Sequence, residues 1–149
     1  MSSAPAEASD PGGSYLDVEA ATGDAEFHVH NLGVEEIFFT ARNEYLLGLG
    51  IDDLWHQPVV PQLRELLTMF ESEIAQGTSL QCQTTVVSRS RRAFVMEQTL
   101  RVSESGGVAA TCRSVHVTVD ESGAVDIPEA LWAAIEDQAG RTIPWVARG

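Results

Sequence analysis

The stretch DAEFHVHNLGVEEIFFTARNEYLLGLG, running from Asp24 to Gly50, decides the fold. Within it, apolar residues recur at Val34, Ile37, Phe38, Ala41 and Tyr45. Steps of three and four place them on one face, so the spacing predicts a helix over 31–47. Asn31 can cap its start, and Glu35 and Glu36 suit the positive end of its dipole. Gly48 and Gly50 supply the stop.

Upstream, Tyr15–Ala20 and Glu26–Val29 read as short strands on either side of Gly23. Residues 1–14 are mostly Ser, Ala, Pro, Gly and acids, too polar to offset their ordering entropy, and read as a disordered tail. Downstream, Leu80, Cys82, Thr84 and Val86 alternate with polar residues, as a half-buried strand does. Ala93–Val102 and Ala109–Val119 are two further strands. In the second, Val115, Val117 and Val119 share one face, while Cys112, Ser114, His116 and Thr118 share the other. Ser90–Arg92 and Gly106-Gly107 mark the turns. A second helix begins with Pro128, carries Leu131, Trp132 and Ile135, and ends at Gly140. The segment between the first helix and these strands is ambiguous. Leu63, Leu66, Leu67, Phe70 and Ile74 have helical spacing. One helix amid antiparallel strands is an α+β layer architecture, a sheet wrapped on a long central helix.

The counts narrow the function. The chain has 149 residues, a length for one domain, placed at 15–140 with a C-terminal tail at 141–149. Against 22 acidic side chains stand nine basic ones, all Arg, for a net charge of −13. Without Lys there is no Schiff-base chemistry and no Walker-type phosphate loop. The acidic excess argues against nucleic acid and against a basic membrane-surface helix. No apolar run approaches the roughly 18 residues of a membrane span, and the N-terminus lacks the features of a signal peptide. Cys82 and Cys112 are too few for a disulfide framework and fit a reducing, cytoplasmic setting.

A Ser-based elbow is absent, and both Cys sit in alternating strands, where packing is their ordinary role. His28 and His30 share a strand face, but an open metal site needs three placed ligands, so no metal and no cofactor is assigned.

Asp24, His28, Val29 and Asn31, then Ala41-Arg42, Tyr45-Leu46 and Leu49-Gly50, resemble the hotdog-fold acyl-CoA thioesterases of the 4-hydroxybenzoyl-CoA thioesterase type. That family carries Asp-x-x-Gly-His-Val-Asn-Asn before its central helix. The stretch Phe70–Thr78, the turn Ser88–Arg92 and Val125–Pro128 extend the similarity over roughly residues 15–137. Phe27 stands at the family Gly and His30 at an Asn, and the family Pro of the later stretch is missing. The resemblance implies a hotdog domain, and it implies a strand near Leu66–Ile74 against the local helical spacing.

It also implies hydrolysis of an acyl-CoA or acyl-carrier-protein thioester, in a homodimer or homotetramer. Asp24 matches the family's catalytic acid, as general base or nucleophile. His28 would donate to the carbonyl or orient Asp24. Asn31 stands at a helix N-terminus, whose free N–H groups suit an oxyanion. Arg42 matches a helix position that contributes to the site in some relatives from natural-product pathways. The ordinary reading pairs Arg42 with Glu35, Glu44 or a sheet acid, makes Asp24 a turn residue and makes His28 structural. Arg89, Arg91 and Arg92 are a third of the cations, and guanidinium forks suit the phosphates of coenzyme A or the acidic surface of a carrier protein. Alternatively they are a solvated turn. The Ala/Gly/Val-rich, Lys-free composition is associated with fatty-acid or polyketide metabolism. Two other functions stay open: a hotdog dehydratase of 3-hydroxyacyl thioesters using His116 or His56, and an inactive hotdog that binds an acyl carrier or ligand, its site blocked by Phe27.

Overall fold

The computed structural model describes residues 13–19 and 31–146. Asp24, Phe27, His28, His30 and the strand expected at Glu26–Val29 lie outside the described residues.

The first helix, α1, runs Asn31–Leu47, as its periodicity demands. It lies on a six-stranded sheet of β1 (Ser14–Glu19), β2 (Val60–Phe70), β3 (Ser79–Arg89), β4 (Ala93–Val102), β5 (Val108–Asp120) and β6 (Gly123–Ala124). The order is β1-β3-β4-β5-β2, with β6 added to β5, and every paired strand is antiparallel. A second helix, α2, spans Glu129–Ala139, just after Pro128. It ends where Gly140 adopts φ 70° and its N–H returns to the carbonyls of Glu136 and Asp137. This is the hotdog architecture, with α1 as the filling.

Two cores hold it. Along the first two-thirds of α1, Val34, Phe38 and Ala41 pack on Leu80, Cys82, Leu100 and Ala110. Past the middle of α1, Tyr45 and Leu46 join Phe94 and Met96 of β4 and Leu131, Trp132 and Ile135 of α2. Ile143 is in the same core, so the segment after α2 folds back onto the body. Its backbone runs beside the end of β3: the N–H of Arg89 donates to Pro144 at 3.0 Å and that of Val146 to Arg89 at 2.7 Å.

The ambiguous segment is a strand, but it starts and ends earlier than expected, at Val60 and Phe70 rather than Leu66 and Ile74. Pro61 is tolerated because β2 is an edge strand. A bulge between Leu63 and Glu65 explains the misleading spacing. The extra residue puts Leu63 opposite His116 and Leu66 opposite Ser114, on the face that looks toward α1. Leu67 and Met69 turn to the outer face, and all four are exposed. The leucines follow a helix-like rhythm, yet no helix is needed to explain them.

Candidate functional site

The decisive side chain is Arg42. It sits on the buried side of α1, only 6% exposed. Neither Glu35 nor Glu44 pairs with it among the described residues. Its Nη1 instead donates to Gln98 Oε1 at 3.1 Å and to Cys112 Sγ at 3.7 Å. The Gln98 amide is fixed from its other end, where Nε2 donates to the Phe38 carbonyl and to Thr84 Oγ1, both at 3.0 Å. Thr68 of β2 also donates to Cys112 Sγ, at 3.6 Å. A cation inside a fold is costly unless hydrogen-bonded. Here neutral acceptors hold it, and no carboxylate among the described residues pairs with it.

The polar face of β5 is the one that meets α1. Thr84, Gln98, Ser114, His116 and Thr118 are all buried there, while Val95 and Val115 pack on the outer face. His116 stacks on Phe94, ring centroids 5.2 Å apart, and its Nε2 lies 3.0 Å from Ser114 Oγ. Burial above all, with the Arg42 charge adding to it, pushes the His116 pKa down to about 4, so the ring is neutral near pH 7. Burial likewise raises the Cys82 thiol to about 12 and raises Cys112, leaving neither as a ready nucleophile. His56 is at the surface, bonded to Asp53 at 2.6 Å.

A groove of about 620 Å³ opens between α1 and β2, lined by Leu32, Gly33, Glu35, Glu36, Phe39, Arg42 and Leu66. Arg42 is its cationic floor. A second groove of about 420 Å³ is lined by Asn31, Val34, Phe70 and the loop Glu71–Ile74. Both border the first turns of α1, where the N–H groups of a helix start and the positive dipole end favour an anion or a polarised carbonyl. Asn31 and Arg42 thus serve one side of one helix, about 16 Å apart by helix rise.

The Arg cluster is elsewhere. Arg92 adjoins Thr118, six residues along β5 from Cys112, about 20 Å at strand rise. Arg89 is buried, its guanidinium 4.6 Å from the Trp132 ring centroid and 4.0 Å from that of Trp145. Arg91 and Arg92 are exposed, and each reaches Asp126 at 3.2 Å.

Sequence reasoning put Arg42 in the site but missed Gln98, Thr84, Cys112 and Leu66. The alternation along β5 separated valines from polar residues, but nothing in it said which set meets the helix. Among the described residues, no cluster of His, Cys, Asp and Glu is placed to hold a metal ion, and no helix is long and apolar enough to cross a membrane.

Residues 18–135 match the model of the thioesterase-like superfamily. The fold is similar to that of a 1,4-dihydroxy-2-naphthoyl-CoA thioesterase from Synechocystis (TM-score 0.74, 17% identity, 85% of this chain and 97% of that one covered). It is also similar to a Thermus thermophilus thioesterase complexed with coenzyme A and Zn (TM-score 0.77, 20% identity, 90% and 99% covered). A third similar structure is the Staphylococcus aureus protein SAV2348 in complex with CoA (TM-score 0.77, 16% identity, 91% and 88% covered). Curated protein sequences give no match.

Proposed function

The chain belongs to the thioesterase-like superfamily, and on that premise we propose that it hydrolyses an acyl thioester of coenzyme A or of an acyl carrier protein, in fatty-acid or polyketide metabolism. The observation that carries this is the groove beside the start of α1 with the buried Arg42 cation at its floor. The coenzyme A in two structures of similar fold supports a CoA-borne acyl group.

A thioester carbonyl set against the first turn of α1 meets the N–H groups that a helix start presents. Donors aimed at the developing oxyanion contribute roughly 3–4 kcal/mol each. Water attacks the acyl carbon, the C–S bond breaks, and the acid and free thiol leave. Asp24 is the base for that water or the attacking group itself. His28 donates to the carbonyl or orients Asp24, and the Asn31 amide lies at the same helix end. Arg42 adds a fixed positive field to the groove. Arg91 and Arg92 are the cations free to trade Asp126 for the phosphates of the carrier, while Arg89 shapes their turn from behind.

The working unit in this proposal is a homodimer, or a tetramer built from dimers, joined through β2. An eleven-residue edge strand exposing Leu63, Leu66, Leu67, Met69 and Phe70 is an open template for another strand. The two buried, unpaired cysteines suit a reducing, cytoplasmic setting.

The test is release of free thiol from a panel of acyl-CoA and acyl-carrier-protein substrates. Turnover by the wild type and its loss in Asp24→Ala are expected. No thiol from any substrate defeats the hydrolase reading.

A further inference from the structure

Gln98 of β4 is 1% exposed, and both ends of its amide are engaged. The Phe38 carbonyl only accepts and a guanidinium only donates. The amide nitrogen therefore faces Phe38, and the oxygen faces Arg42 Nη1. Phe38 and Arg42 stand about one turn apart on α1. One amide thus grips that turn by a backbone atom and by a side chain, and Thr84 Oγ1 ties the same amide to β3.

The partner given to Arg42 is a choice of charge. The chain carries 22 acidic residues, and Glu has the length and shape of Gln. A carboxylate at position 98 would pair with the guanidinium and cancel its charge. It would also set two acceptors face to face at the Phe38 carbonyl. The amide orients the guanidinium and adds no opposite charge. The other acceptor, Cys112 Sγ, is neutral too, because burial above all keeps that thiol protonated.

Arg42 lines the groove beside the start of α1, and Gln98 is not among its lining residues. An effect of Gln98 on the reaction therefore passes through Arg42. We propose that Gln98 is a positioning residue, holding the Arg42 guanidinium at the groove floor as a cation with neutral partners. The proposal rests on the thioesterase reading and assigns how the charged floor of that site is set. A misplacement of about 1 Å costs up to about 10²-fold in rate. A fixed charge aimed at the transition state acts on kcat more than on KM.

The experiment measures kcat and KM with the thioester that the wild type turns over best, beside urea unfolding of each variant. Gln98→Glu keeps the shape and sets a carboxylate against Arg42. It is expected to lower kcat about tenfold or more while KM stays within about threefold. Gln98→Met removes the oxygen acceptor, and with Arg42→Met and the double variant it completes a cycle. Gln98→Met is expected to lower kcat about fivefold or more beside Arg42 and to add no further loss beside Arg42→Met. A merely structural residue lowers both backgrounds alike. An unchanged kcat in folded Gln98→Glu, or equal losses in the two backgrounds, overturns the proposal and leaves the thioesterase reading standing. If Gln98→Glu does not fold, the cycle decides. If Gln98→Met does not fold either, the residue serves the fold alone and the proposal falls. No hydrolysis of any thioester by the wild type overturns the thioesterase reading and this proposal with it.

Discussion

Arg42 of α1 reaches across the filling of the fold to Gln98 of β4, its Nη1 3.1 Å from the amide oxygen. The partners lie 56 residues apart in sequence, so only the finished fold brings them together. Removing the amide strands a buried charge and also frees Thr84 and the Phe38 carbonyl. Gln98→Ala is therefore expected to cost about 2–4 kcal/mol. Urea unfolding measures this, and a loss below about 0.5 kcal/mol would show that the network contributes little.

Replacing the charge itself should behave differently. Arg42→Met keeps most of the volume and removes the desolvation cost, so stability is expected to stay within about 1–2 kcal/mol of the wild type. Turnover of a thioester should nevertheless fall by roughly 10²-fold, because the field at the groove floor is gone. Full activity in a folded Arg42→Met protein would remove Arg42 from the chemistry.

His116 makes stability depend on pH. Its folded pKa of about 4 lies below the ordinary histidine value of 6.5. The unfolded chain therefore takes up the proton first, and acid favours unfolding. The contribution is complete above pH 6.5, declines as pH falls toward 4, and amounts to about 3 kcal/mol at most. His116→Phe, which can keep the stack on Phe94, should flatten that part of the stability profile relative to the wild type. Parallel profiles for the two proteins between pH 6.5 and 4 would refute the assignment.

The Arg89 guanidinium is packed against both Trp132 and Trp145, holding the segment after α2 to the end of β3. Each such contact is worth about 0.5–2 kcal/mol. Trp145→Ala should lower the melting temperature by several degrees and speed proteolysis near Arg141. An unchanged cleavage pattern would mean that Ile143 and the backbone bonds to Arg89 secure the segment without the ring.

Arg91 and Arg92 share Asp126 at the surface. Their double change to Ala is expected to leave stability within about 0.5 kcal/mol, as exposed ion pairs contribute little. It should also raise KM for a CoA thioester several-fold and weaken the salt dependence of binding. Unaltered KM and salt dependence would return the pair to the role of solvated turn charges.

The parts legible in the sequence were those with local causes. Helix α1 has the predicted bounds because its apolar stripe and Gly48 act within a few turns, and β4 has them because alternation and a turn frame it. β2 was harder to place, since its leucines are exposed on an edge and a bulge breaks their alternation. The site divides in the same way. Arg42 stood out on its helix, but its acceptors come from β4 and β5 and no local pattern announces them. The buried Glu35 oxygen, without a hydrogen-bond partner among the described residues, is visible only once the sheet is in place.

The two edges of the sheet differ in kind. At one side stands β2, long and apolar. At the other stands β1, six residues long and carrying Asp17 and Glu19, with the chain end near Trp145 laid along the remaining edge of β3. Two sheets joined through β2 would present only the β1 side at each end. There, like charges and a short register discourage a third sheet. If the proposed dimer forms through β2, its β1 ends act as chain terminators, and strand-by-strand association would stop at a pair instead of growing into a fibre.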